Sequence, residues 1–593
     1  LHGSSAASDV YKRQKKILPI GSTRVISGKI EKFNDLYQIT HPHHVVDIKN
    51  LDSVKKIECV YPLTAGMTSK IIQKSINSAL SMVDELPEWI PEKVLERNKW
   101  PSWKDSIYQM HNPKDVKEND DNKYIERLVF DELFSQQLTI RLIKNKISHK
   151  NGISLPKKNK LSKQLRDQLK FQLTGDQEKT IEEISNDQEG SSKMLRLLQG
   201  DVGSGKTIVA LFAMMQCIEN NKRSVLMAPT EILAEQHFNT IKEFISDLNL
   251  TCSLITSSNK NNHNFEADII IGTHALFQQK VTFENIGLVV IDEQHKFGVH
   301  QRILLNEKAG NSCDILLMTA TPIPRTMELA AYGDMDISKI SEKPKNRKEI
   351  ITKSINISKI DQLKESLTKI LNKKQKIYWV CPLIDESEKL QLQSVNSRVN
   401  DLKKYYSSNN VGLVHGQMSQ EEKNDVMSKF KDNKIDILVA TSVIEVGIDD
   451  PDATVMIIEN SERYGLSQLH QLRGRVGRGN VQSTCILLFE GPLTDNAKRR
   501  LKVMKETNDG FLIAEEDLDI RGAGEILGSK QSGIPNFRLS NLDKHKHILE
   551  EARGVAMDIV KEDPDLKKSA GKAQRTLLHL FRNQVAIDYL KTG

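Results

Sequence analysis

Gly200-Asp201-Val202-Gly203-Ser204-Gly205-Lys206-Thr207 carries the spacing G-x-x-x-x-G-K-[ST]. An apolar run from Met194 to Leu198 precedes it, and Val209, Leu211, Phe212 and Met215 follow at helical spacing, so it reads as a turn from a strand into a helix. In that setting the chemistry is phosphate binding. Glycines at 200, 203 and 205 let backbone N–H groups, Ser204's among them, close around phosphate oxygens, and the helix N-terminus adds positive potential. Lys206 would reach the β- and γ-phosphates and the Thr207 hydroxyl would ligate Mg2+. A chance glycine turn would not come with both flanking elements.

Leu288-Val289-Val290-Ile291 runs into Asp292-Glu293-Gln294-His295, which sets two carboxylates at a strand end. Mg2+ takes carboxylate oxygen, and phosphate hydrolysis needs a group that orients water, so Asp292 suits the first task and Glu293 the second. Alone such a pair would be a solvated turn; after a phosphate loop in the same sheet it becomes a metal and water site. Further on, Gln468-Leu469-His470-Gln471-Leu472-Arg473-Gly474-Arg475-Val476-Gly477-Arg478 repeats cationic groups between small residues. On a helix Arg475 and Arg478 would share a face, and guanidinium groups offered across a cleft stabilise charge on a transferring γ-phosphoryl group. A basic surface helix is the plainer alternative, but its glycines would weaken it.

These residues need positioning elements. The chain has 593 residues, which at roughly 150 per domain suggests about four domains. Apolar content of 38% with 27% charged residues fits a folded, soluble protein, and no run approaches the roughly 18 apolar residues of a membrane span. A net charge of +7 is too small at this length to decide a partner. Six scattered cysteines without a C-x-x-C pair signal neither zinc site nor disulfide framework and suit a reducing compartment. After residue 165, short apolar runs alternate with amphipathic helices, as in buried parallel strands with helical crossovers. One series comprises 194–198, 225–227, 269–271, 288–291 and 315–318; a second comprises 377–380, 411–414, 437–439, 455–458 and 485–488. The expected fold class is therefore α/β, with two doubly wound parallel sheets in tandem whose ligands bind at the carboxyl edges of the strands.

Phosphate loop, D-E-x-H box and Q-x-x-G-R-x-G-R, in this order, resemble a superfamily 2 helicase, in which two RecA-like domains sandwich ATP. The resemblance implies that Lys206, Asp292, Glu293, Gln471, Arg475 and Arg478 form the catalytic set. It further implies that Phe171 and Gln177 read adenine and that Gly447 and Asp449 lie at the nucleotide. Strand-edge residues Pro229, Thr230, Thr273, His274 and Thr441 would contact the DNA backbone, and Thr319 and Thr321 would link ATP state to DNA grip. Met318-Thr319-Ala320-Thr321-Pro322-Ile323-Pro324-Arg325-Thr326 and Cys381-Pro382-Leu383-Ile384-Asp385-Glu386-Ser387-Glu388 resemble more narrowly the RecG family of branched-DNA translocases. So does the stretch from Thr507 through Arg521 to Gln531, which is similar to the family's translocation hairpin and loop. ATP and Mg2+ are then the expected cofactors. Branched double-stranded DNA (forks and Holliday junctions) is the expected partner, with single-stranded DNA-binding protein as a candidate second one, no membrane, a monomeric state and a cytoplasmic, nucleoid-associated location.

The resulting organisation is a non-family tail over 1–16, a partial OB-type wedge over 17–50 and a helical connector over 51–165. RecA-like domains follow over 166–345 and 346–500, then a translocation hairpin with a C-terminal helical module over 501–593. The front of the family's wedge has no counterpart here, so the strands of 21–47 are expected to pack poorly, with Phe33 and Tyr37 buried against the connector. Lys343-Pro344-Lys345-Asn346-Arg347 replaces a more Pro/Gly-rich hinge. The expected function is ATP-dependent double-stranded DNA translocation that remodels branched DNA in recombination and repair. The alternatives are a transcription-repair coupling factor-like translocase and a non-catalytic DNA-binding scaffold.

Overall fold

The computed structural model describes residues 15–583 apart from 34–35, 41, 43, 56, 58, 65–66, 114–122, 150–151, 257–263, 274–275, 277–284, 294–311, 325–326, 329–334, 345–346, 383–387, 407–409, 442–449, 451, 478, 480, 523–536 and 543. Two compact units divide the chain, 1–131 and 132–593. Residues 1–14 of the expected tail lie outside the described residues.

In the first unit, β1 (Arg24–Ser27) pairs antiparallel with β4 (His44–Asp47), and β2 (Glu31–Phe33) with β3 (Leu36–Gln38). Two-stranded ribbons bury little, and Tyr37, expected against the connector, is 78% exposed. Among the described residues β3 pairs only with β2, and nothing covers that ring. The Phe33 side chain lies outside the description. The same unit holds a compact charged core: the fully buried Arg127 donates to both oxygens of Asp131 at 3.1 Å and to Glu88 at 2.9 and 3.0 Å, while Trp89 Nε1 donates to Asp131 at 2.7 Å. Burial pushes the Asp131 carboxyl up to about 6 even so, with Arg127 and Trp89 pulling the other way. Arg127 and Asp131 lie on α1 (Lys123–His149).

The second unit contains both parallel sheets. Strands β5 (Leu195–Gly200), β6 (Arg223–Met227), β7 (Cys252–Ile255), β8 (Ile269–Gly272), β9 (Ile286–Ile291), β10 (Asp314–Thr319) and β11 (Asp336–Ile340) form one seven-stranded sheet, ordered β11-β5-β10-β9-β6-β8-β7. Strands β12 (Ile351–Asn356), β13 (Lys376–Val380), β14 (Val411–Val414), β15 (Ile437–Ala440), β16 (Ala453–Ile458) and β17 (Thr484–Phe489) form the other, ordered β12-β17-β16-β13-β15-β14. Alternation along each central strand feeds both faces. Leu198, Leu226, Val290 and Leu316 enter one core while Leu197, Val225, Val289 and Leu317 enter the opposite one. The second sheet does the same with Tyr378 and Val380 against Ile377 and Trp379. Burying such a side chain stabilises by about 1.5–3 kcal/mol. Three strands absent from the sequence reading, β7, β11 and β12, are sheet edges; each is partly solvated and so lacks the continuous apolar run that marks a central strand.

Six helices matter for the site: α2 (Gly175–Glu189), α3 (Lys206–Glu219), α4 (Glu231–Phe244), α5 (Leu466–Arg473), α6 (Asp495–Glu506) and α7 (Gly510–Arg521). Helix α3 is buried from Ile208 through Cys217, which is why its sequence is apolar on every side. Among the described residues no helix is long and apolar enough to cross a membrane.

Candidate active site

The sheet order sets the site. Because β5, β10, β9, β6 and β8 are neighbours, the loop after Gly200, then Thr319, Asp292, Pro229 with Thr230, and Thr273 stand in a row along one carboxyl edge. The second sheet brings Thr441 to the end of β15, where its N–H donates to Val414 O at 3.4 Å. Thr273, Thr319 and Thr441 are buried, and Pro229, Thr230 and Thr321 half-buried. Thr230 also caps α4 by accepting from Leu233 N at 3.3 Å.

Gly203 and Gly205 have φ of +76° and +86°, which turns successive N–H groups inward and starts α3. Lys206 Nζ is held over the loop by Gly200 O at 2.7 Å and Asp201 O at 3.0 Å. Ser204 Oγ is buried and makes no hydrogen bond within the described residues. Gln177, read from sequence as an adenine contact, clamps the loop from outside. Its Nε2 donates to Ser204 O at 2.8 Å, while its Oε1 accepts from Thr174 N at 2.9 Å as part of a capping box on α2. Phe171 is 49% exposed and meets Phe244 edge to face at 6.4 Å.

At the end of β9 the backbone of Glu293 is left-handed, φ +51°, a costly conformation without glycine. That turn lets Glu293 N donate to Asp292 Oδ1 at 2.9 Å and brings Glu293 Oε2 within 3.4 Å of Ala320 N, between Thr319 and Thr321. Thr319 and Thr321 are joined hydroxyl to hydroxyl at 2.9 Å. The other Asp292 oxygen meets His237 Nε2 at 2.8 Å. Burial alone would push the Asp292 carboxyl up, yet the His237 hydrogen bond and the charges of His237 and Lys206 hold it below the ordinary carboxylate range. The sequence reading missed His237. Its signal is a polar residue on the face of α4 that Leu233, Ala234 and Ile241 bury, since a buried imidazole requires a partner.

Across the cleft, α5 ends at Arg473 and Gly474 caps it, so Arg475 stands in the turn beyond the helix, correcting the expectation of a shared helical face. The cause is local: Gly474 ends the helix as its cap, and Gly477 turns the chain again at φ +76°. Arg475 is 6% exposed and Gln471 half-buried. His470 Nε2 hydrogen-bonds Asp201 in the phosphate loop, and its Nδ1 accepts from Arg473 at 2.9 Å, which fixes the proton on Nε2. Arg473 is itself structural, donating to Met504 O at 2.8 Å and Thr507 O at 2.9 Å. Asp201 is half-buried, and the loss of solvent would raise its pKa, but His470, Lys343 and Lys206 hold it below the usual range. His274, Gly447, Asp449, Arg478 and Gln531 lie outside the described residues.

Helix α7 grips the start of α5. Asp517 accepts from Leu466 N at 3.3 Å, Ser467 N at 3.4 Å and Ser467 Oγ at 2.8 Å, and Arg521 Nε donates to Asp517 at 3.1 Å. A Cβ on Gly465 would fall 1.5 Å from Arg521 Nη2, so a larger residue there would displace the guanidinium from this position.

Family models match each part: DEAD/DEAH box helicase over 174–330, helicase conserved C-terminal domain over 358–480, and domain 3, C-terminal, of ATP-dependent DNA helicase RecG over 507–585. Two such domains meeting at phosphate loop and arginine turn make this the motor of a superfamily 2 helicase. Over 565 residues the chain is 38% identical to ATP-dependent DNA helicase RecG of Haemophilus influenzae, spanning 91% of this chain and 81% of that protein. Over 576 residues it is 41% identical to the Aquifex aeolicus protein of the same name, spanning 92% and 72%. A solved structure of RecG bound to a three-way DNA junction superposes with a TM-score of 0.65 at 37% identity, over 91% of this chain and 72% of that one. The chain belongs to the RecG family of ATP-dependent DNA helicases.

Proposed function

We propose that the chain uses ATP hydrolysis to move along double-stranded DNA and so remodels branched DNA, regressing stalled forks and migrating four-way junctions. The observation that carries this is the direct tie between the phosphate loop of one domain and α5 of the other through Asp201 and His470, because a motor must sense nucleotide from both domains. The similarity to a RecG seen on a three-way junction supports the branched substrate.

In this reading the loop N–H groups and Lys206 bind the ATP phosphates, Glu293 holds the attacking water, and Arg475 with Arg478 meets the γ-phosphoryl group as charge develops. The inward loop, with its unpaired Ser204 hydroxyl, suits polyphosphate, and the hard oxygens of Thr207 and Asp292 suit Mg2+. When bound, Mg2+ would neutralise phosphate charge. Asp292, kept ionised by His237, and the Thr207 hydroxyl would hold it. Half-exposed Phe171 offers adenine a ring face, and Pro229, Thr230 and Thr273 along one carboxyl edge, with Thr441 at the end of β15, would meet backbone phosphates without reading sequence. The Glu293–Ala320 contact supports a role for the Thr319–Thr321 pair in passing on the hydrolysis state.

Phosphate release with and without duplex DNA tests the reading. DNA should stimulate turnover, and Lys206→Ala should abolish it together with most nucleotide affinity; no turnover in the unaltered chain would identify a DNA-binding scaffold instead. A second expectation concerns His237. Its removal should shift the Mg2+ midpoint of ATPase upward by about 10-fold or more, the usual cost of losing a group that orients a metal ligand. A Mg2+ titration of His237→Ala with an unmoved midpoint would take His237 out of the site.

A further inference from the structure

The segment that joins the two RecA-like domains delivers one more guanidinium to the cleft. Arg347 Nη1 donates to Val202 O at 2.6 Å, its Nε to Gly477 O at 3.0 Å and its Nη2 to Gly474 O at 3.5 Å, the longest of the three. One side chain therefore bonds the phosphate loop of the first domain and two points of the arginine turn of the second. Gly474 and Gly477 are the residues that immediately precede Arg475 and Arg478 in the chain, and Val202 precedes Gly203, the loop's first left-handed glycine.

Three features make this more than a surface contact. A Cβ on Gly203 would stand 2.4 Å from Arg347 Nη1, so the glycine both turns the loop and admits the guanidinium. Gly474 lies so close to the loop that its own Cβ would approach Val202 Cβ to 2.9 Å, and Asp201 and His470 tie the same two segments beside it. The hinge itself is fastened at its first-domain end, where Asp176 accepts from Ser341 N at 2.8 Å and Glu342 N at 2.9 Å, so Arg347 reaches out from a fixed base.

We propose that Arg347 is a positioning residue for ATP hydrolysis, a brace that holds the backbone ahead of Arg475 and Arg478 in register with the phosphate loop. It does not bind phosphate. A phosphate loop presents N–H groups to the nucleotide and turns its carbonyls away, and Arg347 binds a carbonyl. Donation to Val202 O polarises that peptide and makes the Gly203 N–H a better phosphate donor. The planar five-donor fork is what lets one group reach three carbonyls in fixed directions; an ammonium on a flexible stem cannot do so. The proposal rests on the assignment of Arg475 and Arg478 to the γ-phosphate.

The test compares Arg347→Ala, Arg347→Lys, Arg475→Ala and the Arg347→Ala/Arg475→Ala pair in the full chain, by duplex-stimulated ATPase and by titration with a fluorescent ATP analogue. Arg347→Ala should lower kcat by about 10- to 100-fold, the scale of a displaced catalytic group, with a much smaller change in nucleotide affinity. Arg347→Lys should fail to restore kcat, and in the Arg475→Ala background the loss of Arg347 should add little, because groups acting as a unit are not additive. If Arg347→Ala does not fold, Arg347→Lys, which keeps the stem and the charge, carries the comparison. Wild-type kcat in either variant would overturn the brace, as would multiplicative losses in the pair. Tighter nucleotide binding with faster turnover would also overturn it, showing a latch that ATP must break. Wild-type turnover by Arg475→Ala would instead defeat the assignment of Arg475 itself.

Discussion

Glu293→Gln should bind ATP as the unaltered chain does and hydrolyse it more slowly by roughly 10² or more, the contribution of a positioned general base. The geometry sharpens that expectation. Glu293 stands at the edge between β9 and β10, on a left-handed backbone that a non-glycine residue adopts only at a cost, and it reaches Ala320 N. Gln is nearly isosteric, keeps an oxygen for Ala320 N and leaves the Asp292–His237 pair untouched. What it removes is the charge that accepts a proton from water. Single-turnover phosphate release beside an equilibrium nucleotide titration separates the two effects. Equal turnover in the two proteins would sink the assignment, and a matching loss of affinity would show that Glu293 supports the loop rather than the chemistry.

What could be read from the sequence was what backbone geometry dictates over short spans. Gly203 and Gly205 are required by the loop's own left-handed turns, and the continuous apolar runs follow from central parallel strands buried on both faces. For the same reason the half-solvated edges β7, β11 and β12 escaped notice. Arg475 was placed on a helix because a three-residue interval is ambiguous until one knows that Gly474 ends it. Contacts between segments far apart in the chain left no local trace: His237 beneath Asp292, His470 against Asp201, Arg347 across three carbonyls. Gln177 carries a contact of the same kind, its Nε2 donating to Ser204 O in the phosphate loop 27 residues on. Tyr37 reads as a ring that should find cover, and a two-stranded ribbon gives it none.

The second large effect concerns coupling. Arg521→Ala should keep DNA-stimulated ATPase and lose branch migration. Among the described residues Arg521 makes no hydrogen bond or ion pair with the phosphate loop; it bonds Asp517 and lies over Gly465, at the start of the helix whose far end leads to Arg475. The Arg521–Asp517 pair is partly exposed on the arginine side, so its loss costs about 0.3–1 kcal/mol and leaves the fold standing. Asp517 is a different matter. It is buried and caps α5 with three bonds, so Asp517→Ala should cost about 1–2 kcal/mol in a denaturant melt and depress ATPase and branch migration together. The contrast is the point of the pair. One residue fixes the start of the helix that leads to Arg475, while the other fastens the end of α7 to that same start. If Arg521→Ala loses both activities in proportion, the clamp only supports folding. If it retains both, motion of α5 reaches DNA by some route other than α7.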